Sequence, residues 1–194
     1  MRISMNFLLV CVLCACATPP TAHPPSPLTS SILNTDEINR SDWLKVDDGL
    51  IVSDRADCLP QNCAFGIWDV FQPESLGFTS PDTSLELVIS LRSFQSMEEA
   101  DSQFEIESGQ YAGQPGKQWL EIPATILPDH SVAYAEDGRY VVLYTVDGNT
   151  LIVVTLSSFN WGINEAEKAA SLLANLAKLQ IDKLRLSNQA TIVC

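Results

Sequence analysis

One segment constrains the fold more than any other: two β-branched runs that flank an Asp-Gly turn. Residues 139–146 read Arg-Tyr-Val-Val-Leu-Tyr-Thr-Val, and residues 150–156 read Thr-Leu-Ile-Val-Val-Thr-Leu. Asp147-Gly148-Asn149 lies between them, and glycine readily takes the positive φ of a tight turn. The segment therefore predicts an antiparallel hairpin. Residues 131–135 precede a second turn, 136–138, and would extend the hairpin to a meander.

Further strands are predicted upstream of this hairpin. In residues 84–94 apolar and more polar side chains alternate, which is typical of a strand with one buried face. Shorter strands are predicted at 49–53, 64–71 and 119–122. The alternating apolar set is Leu85, Leu87, Ile89 and Leu91.

Two helices complete the predicted fold. The first covers about 96–108, where Ser96 and Glu99 have the spacing of a capping box. The second covers about 164–180, with Asn164 as N-cap and apolar residues at helical spacing. A helix with an apolar stripe buries that stripe most simply against a sheet. We therefore predict an α+β fold: an antiparallel β-sheet packed against two helices. The predicted stripe of the first helix is Met97, Ala100, Phe104 and Glu107. The order of strand, helix, strands and final helix resembles the PsbP/Mog1-type α+β sandwich.

The N-terminus has the layout of a secretory signal, with Arg2 followed by an apolar run from about residue 5 to 17. The run is shorter than the ~20 residues of a transmembrane helix. It closes with Leu13-Cys14-Ala15-Cys16, which resembles the lipobox of bacterial lipoproteins. The resemblance implies removal of residues 1–15 and a lipid, with fatty acyl chains such as palmitate, on Cys16. An ordinary secreted protein is the alternative, because Ala15-Cys16-Ala17 also satisfies the small-x-small rule.

The expected mature chain has two parts. Residues 16–31, rich in Pro, Ser and Thr, predict an extended tether after the lipidated cysteine. Residues 32–194 predict a single acidic α+β domain. We expect the protein to be located in the bacterial cell envelope, where the lipid anchors it to a membrane. In a diderm bacterium Ala17, not being Asp, resembles an outer-membrane sorting signal.

The charge balance disfavours polyanionic partners. The chain has 24 acidic and 11 Lys or Arg residues, a net charge of −13. Contacts to phosphate need clustered cations, so nucleic acid and anionic lipid headgroups are not expected partners.

Three cysteines remain after the predicted signal and lipid site. Cys58 and Cys63 flank a compact Leu-Pro-Gln-Asn loop, which predicts a structural disulfide in an oxidising compartment. Cys194 is left either free or in competition for one of them. The spacing is neither C-x-x-C nor a paired zinc pattern, so no metal or redox cofactor is expected.

Catalytic signals are sparse. His130 has Asp129 and Ser131 as sequence neighbours, but neighbours rarely form a triad and no G-x-S-x-G elbow is present. A solvated loop histidine is the favoured interpretation. The densest acidic cluster does not match a calcium loop, which indicates solvated loop acids. This cluster consists of Asp47, Asp48, Asp54 and Asp57. No nucleotide or cofactor fingerprint is found.

Aromatic residues give the remaining hint of function. Rings near turns can stack on sugars or anchor protein partners, although tryptophan more often packs in the core or at its rim. The segment between the hairpin and the last helix contains Phe159 and Trp161, and these are the candidate binding residues. The other aromatic residues near turns or element ends are Trp43, Trp68, Trp119 and Tyr111.

Two functional hypotheses follow. The leading one is a non-catalytic envelope lipoprotein that binds a protein or a glycan, with no catalytic residues and no cofactor. The alternative is a carboxylate-based hydrolase of an envelope or extracellular polymer, which needs two acids that converge in a cleft.

Overall fold

The α+β class predicted from the sequence is confirmed. The structure, a computed structural model, describes residues 27–40, 44–53, 62–71, 85–122, 126–136, 139–158 and 166–192. These residues form an eight-stranded antiparallel sheet and three α-helices, with a short 3-10 helix before the first.

The helical elements are the 3-10 helix Pro27–Ser31, α1 Thr35–Asn39, α2 Met97–Gly109 and α3 Ala166–Ile192. The first four strands are β1 Lys45–Val46, β2 Leu50–Ser53, β3 Asn62–Phe71 and β4 Leu85–Ser93. The last four are β5 Lys117–Leu120, β6 Ser131–Glu136, β7 Tyr140–Asp147 and β8 Thr150–Ser158.

The strands lie in the order β1, β3, β4, β8, β7, β6, β5, and β2 also pairs with β3. The predicted hairpin is confirmed: Asp147 pairs with Thr150, and Gly148 has a φ of 59°. The meander is confirmed as well, since β6 pairs with β7. Because β8 pairs with β4, the hairpin joins the N-terminal strands to the rest of the sheet.

One face of the sheet, here called the α3 face, is covered by α3 and the N-terminal segment. Its side chains are aliphatic and densely buried, and the stripe predicted for the last helix packs against them. Alternation places every second residue of each strand on this face. The buried stripe consists of Ala169, Ala170, Leu173, Leu176 and Ala177.

The N-terminal segment is part of this core. Leu28 and Ile32 are buried against the sheet, and the Gln180 amide, itself 0 % exposed, joins the segment to α3. Gln180 Nε2 donates to the Ser31 carbonyl at 2.7 Å, and its Oε1 accepts from the Leu33 amide at 2.9 Å. The last five residues of the predicted tether thus belong to the folded part.

Helix α3 continues well beyond the predicted end at residue 180. Ile181 and Leu184 continue the buried stripe, at 3 % and 4 % exposure. The polar residues that interrupt the apolar pattern form ion pairs with residues outside the helix: Lys183 with Glu37, and Arg185 with Asp147. Tertiary contacts therefore stabilise turns whose local pattern is weak.

Helix α2 covers part of the other face, here called the α2 face. Its predicted cap is confirmed, because Ser96 Oγ accepts from the Glu99 amide at 3.2 Å. The Glu99 carboxylate, however, accepts from the Gln95 amide rather than completing the box at Ser96. The predicted stripe is wrong at Met97, which is 55 % exposed, whereas Ala100 and Phe104 are buried and Glu107 pairs with Arg92 of β4.

Candidate functional site

Several residues singled out in the sequence lie outside the described residues. These are the lipidation candidate Cys16, the cysteines Cys58 and Cys194, and the candidate binding residues Phe159 and Trp161. Cys63 is described: it lies near the start of β3 and is 4 % exposed. The Cys58–Cys63 disulfide stays a prediction.

His130 and its neighbours do not form a triad in the structure. His130 Nδ1 lies 3.1 Å from the Asp101 carboxylate, and its ring stacks on Phe104 with centroids 6.0 Å apart. Ser131 Oγ instead donates to the Pro128 carbonyl, and it also lies 2.7 Å from the Thr145 hydroxyl. The histidine side chain is 57 % exposed, in agreement with a solvated loop residue.

The structure describes only part of the acidic cluster that the sequence indicated. Asp47 and Asp48 are exposed, and Asp54 and Asp57 lie outside the described residues. Glu98 and Glu99 line a groove of about 720 Å³ at the start of α2. Hydrogen bonds from the Glu98 backbone amide and from Ser96 lower the pKa of Glu98, whereas a general acid needs a raised one.

Within the described ranges, no group of three His, Cys, Asp or Glu residues is arranged to hold a metal ion. None of the described helices has both the length and the apolarity of a membrane-crossing segment.

The two described tryptophans occupy opposite environments. Trp68 is 1 % exposed on the α3 face, where its Nε1 donates to Thr35 Oγ1 at 3.2 Å. Gly49 and Gly66 lie directly against its ring, which leaves no room there for a Cβ atom. Trp119 is 58 % exposed on β5. Trp68 is thus a core residue, and Trp119 is accessible to a ligand.

Four tyrosines form a cluster on the α2 face beside Trp119. Residues 140, 142 and 144 of β7 share this face with Tyr134 of β6, because Tyr134 pairs with Val142. Tyr111 follows α2 and packs onto them. Its ring stacks on Tyr134 at 5.5 Å and lies 6.4 Å from Tyr140 and 5.9 Å from Tyr144. We call Tyr111, Tyr134, Tyr140 and Tyr144 the tyrosine cluster.

An ion pair borders the tyrosine cluster. Lys117 of β5 and Glu136 of β6 are register partners, and the Lys117 ammonium donates to the Glu136 carboxylate. The same ammonium lies 4.2 Å from the Tyr111 ring centroid and donates to the Tyr140 hydroxyl at 3.2 Å. Hydrogen bonds from Lys117 and Tyr140 lower the pKa of Glu136. The Glu136 carboxylate is therefore charged at neutral pH.

The pKa values of three tyrosines of the cluster are raised, so their hydroxyls stay neutral over a wide pH range. Burial raises the pKa of Tyr144 far above its usual range, with a further contribution from a hydrogen bond to Tyr111. Burial, then hydrogen bonds to Glu136 and Tyr111, raises the pKa of Tyr140 as well. Burial and the nearby Glu105 charge raise the pKa of Tyr134. Tyr134, Tyr140 and Tyr144 thus give the platform neutral hydroxyls rather than phenolates.

Trp119 stands upright on this platform. Its ring meets Tyr134 edge to face, with centroids 5.3 Å apart and an interplanar angle of 88°. Trp119 and Tyr134 are also register partners, so the sheet backbone fixes their spacing. Edge-to-face pairing is a preferred aromatic geometry. The arrangement presents an accessible indole on a rigid support, which can stack on a ligand.

Sequence reasoning only partly found this site. It named Trp119 and Tyr111 among aromatic residues near turns, but it placed the candidate binding residues at Phe159 and Trp161. The tyrosines on β6 and β7 were treated as ordinary strand residues. Strand alternation and the pairing of β6 with β7 place these tyrosines on one face, and this is the signal that could have grouped them. Tyr111 joins them only through the tertiary fold.

The chain matches no protein-family profile and no curated protein. Among solved structures it is similar to the extracellular domain of PknH from Mycobacterium tuberculosis, with 11 % sequence identity and a TM-score of 0.44. The similarity covers 84 % of this chain and 99 % of that one. A likeness at this level says nothing about what the present chain binds. The lipobox and the PsbP/Mog1-type resemblance stay predictions.

Proposed function

We propose that this protein is a lipid-anchored envelope protein whose domain is a non-catalytic binding module. In this proposal the lipid is on Cys16, the segment after it is a spacer, and the domain presents Trp119 and the tyrosine cluster to a ligand. The position of the Leu13-Cys14-Ala15-Cys16 motif at the end of an apolar run supports the anchor. Two or three acyl chains make such anchoring durable.

The single observation that carries the binding proposal is the exposed indole of Trp119 on its tyrosine support. An accessible tryptophan on a rigid strand can bind with little loss of conformational freedom, since its backbone and its Tyr134 partner are already ordered. Large aromatic side chains are also the residues on which binding energy most often concentrates. The predicted residues Phe159 and Trp161 stay additional candidates.

The anchor is tested by intact-mass and N-terminal peptide mass spectrometry on membrane-extracted protein, with Cys16→Ala as control. We expect a mature chain that begins at an acylated Cys16, and a Cys16→Ala chain that no longer fractionates with membranes. An unmodified N-terminus near residue 18 would contradict the anchor and indicate a freely secreted protein.

Binding is tested by the retention of the detergent-extracted full chain on delipidated cell-envelope material, with detergent kept in the buffer so that the acyl chains do not cause retention. We expect Trp119→Ala to reduce retention. The matched control is Phe71→Ala, which also removes an exposed ring (47 %) but lies on β3, away from the tyrosine cluster. Equal retention of Trp119→Ala and wild type, with both folded, would refute Trp119 as the binding residue.

The cysteine proposal has its own test. We propose a Cys58–Cys63 disulfide that closes the loop before β3. The burial of Cys63 supports this proposal, because buried cysteines are usually structural, whereas reactive thiols are accessible to solvent. Non-reducing peptide mapping is expected to recover the 58–63 linkage. A Cys63–Cys194 peptide would replace this pairing with the alternative left open by the sequence.

A further inference from the structure

Among the described strands β4 to β8, only β5 carries a large, exposed apolar side chain, that of Trp119. The other large apolar side chains that are exposed in the described residues lie on β2, β3, α2 and α3. A stable protein interface buries about 800 Å² per partner, whereas one aromatic side chain offers ~150–250 Å². The footprint of a single indole matches one sugar ring better than a protein surface.

The surroundings of the indole contain hydrogen-bonding groups at a sugar-like spacing. On β5 and β6, Lys117 and Glu136 are two residues from Trp119 and Tyr134 and on the same face, a distance of ~7 Å along the strand. The Glu136 carboxylate keeps 33 % exposure and unused acceptor lone pairs. A pyranose stacked on Trp119 would therefore have an acceptor for its hydroxyls within reach.

The charges beside the platform restrict the kind of sugar. Lys117 is 13 % exposed and already bonded to Glu136, and Arg92 forms a two-bond pair with Glu107. These cations are neutralised by their partners, and the whole chain has a net charge of −13. A polyanionic glycan would meet repulsion without compensation. An uncharged glycan would meet none.

We propose that Trp119 binds a neutral saccharide, with one pyranose stacked on the indole and its hydroxyls hydrogen-bonded at Glu136. The C–H bonds on one side of a pyranose carry slight positive charge and face the negative π surface of the indole. Tyr134 holds the ring upright. This assignment rests on the proposed binding function and adds to it the chemical class of the ligand.

The test is calorimetric titration of the full chain, extracted in a detergent without a sugar headgroup, with cellohexaose, chitohexaose and maltohexaose. We expect at least one hexasaccharide to bind, and Trp119→Ala to weaken its affinity by about tenfold or more, which is about 1.4 kcal/mol.

Trp119→Phe is expected to retain part of the affinity, because it keeps an aromatic face. Glu136→Gln retains an acceptor and weakens binding less than Glu136→Ala. Phe71→Ala is expected to bind like wild type, and polygalacturonate is expected not to compete.

Failure of this inference differs from failure of the binding function. If no hexasaccharide binds, yet envelope retention still depends on Trp119 and is lost after protease treatment of the envelope, then the ligand is a protein and the saccharide assignment is overturned. If a hexasaccharide binds equally to wild type and Trp119→Ala, the assignment to Trp119 is overturned. If envelope retention does not depend on Trp119, the proposed binding surface itself is wrong.

Discussion

The two faces of the sheet are built from the same strands but from different chemistry. On the α3 face, Leu, Ile, Val and Ala side chains pack against a long helix and are almost fully buried. On the α2 face a shorter helix covers only part of the sheet, and tyrosines with an ion pair occupy the β5–β7 end. Aliphatic packing supplies stability, whereas an incompletely covered aromatic face leaves groups available to a ligand. In the proposed function, the closed α3 face contributes most of the stability, and the partly covered α2 face binds the ligand.

The sharpest test compares neighbours on β7 that point to opposite faces. Leu143→Ala, on the α3 face, is expected to lower the free energy of unfolding by about 3 kcal/mol, because it leaves a cavity in a closed core. Val142→Ala, on the α2 face, is expected to cost less, since it removes fewer carbon atoms from a smaller cluster. Chemical denaturation measures both. A larger loss for Val142→Ala would break the comparison.

A second prediction concerns the connection between the N-terminal segment and the α3 face. Gln180→Leu keeps the volume but removes the two hydrogen bonds that the Gln180 amide forms with the Ser31 carbonyl and the Leu33 amide. Unsatisfied buried groups are costly, and we expect a loss of about 2 kcal/mol. Lys178→Ala, which removes an exposed ion pair with Asp182, serves as control and is expected to cost less than about 0.5 kcal/mol. Equal losses in the two variants would contradict a stabilising role for the amide.

A third prediction uses the raised tyrosine pKa values of the α2 face. Above about pH 10 the tyrosines of the unfolded chain lose protons, whereas native Tyr140 and Tyr144 keep them. The native state then binds more protons than the unfolded state, so stability decreases as pH rises. Thermal unfolding from pH 8 to 11 measures this decrease. Tyr140→Phe/Tyr144→Phe is expected to show a shallower decrease, and an unchanged slope would show that other groups cause it.

The smallest stability effect is expected at the site itself. Trp119→Ala removes a ring that is 58 % exposed, so we expect a loss of about 1 kcal/mol or less, from its edge-to-face contact with Tyr134. Trp68→Ala is the matched comparison and is expected to cost about 3–5 kcal/mol, because its ring is buried. If both substitutions destabilise equally, Trp119 is a folding residue and the separation of the two faces fails.

Much of the fold could be predicted because its signals are local. The Asp-Gly turn, the alternation at residues 85–91 and the Ser96 cap each act within a few residues, and all appear in the structure. The 3-10 helix, α1 and the last turns of α3 escaped prediction. Ile181 and Leu184 are buried only because the N-terminal segment and the sheet lie beside them.

The sequence by itself determined the class of the fold, the antiparallel hairpin and the acidic character of the surface, because turn chemistry, strand alternation and charge need no distant partner. It named all four tryptophans and placed the candidate binding residue at Trp161. Only the tertiary structure decided that Trp68 is buried and Trp119 exposed, and that Tyr111 joins Tyr134, Tyr140 and Tyr144. These residues are separated along the chain, and their contacts arise from strand register and the path of the chain after α2. Such long-range geometry depends on the packing of the whole domain, which no local pattern encodes.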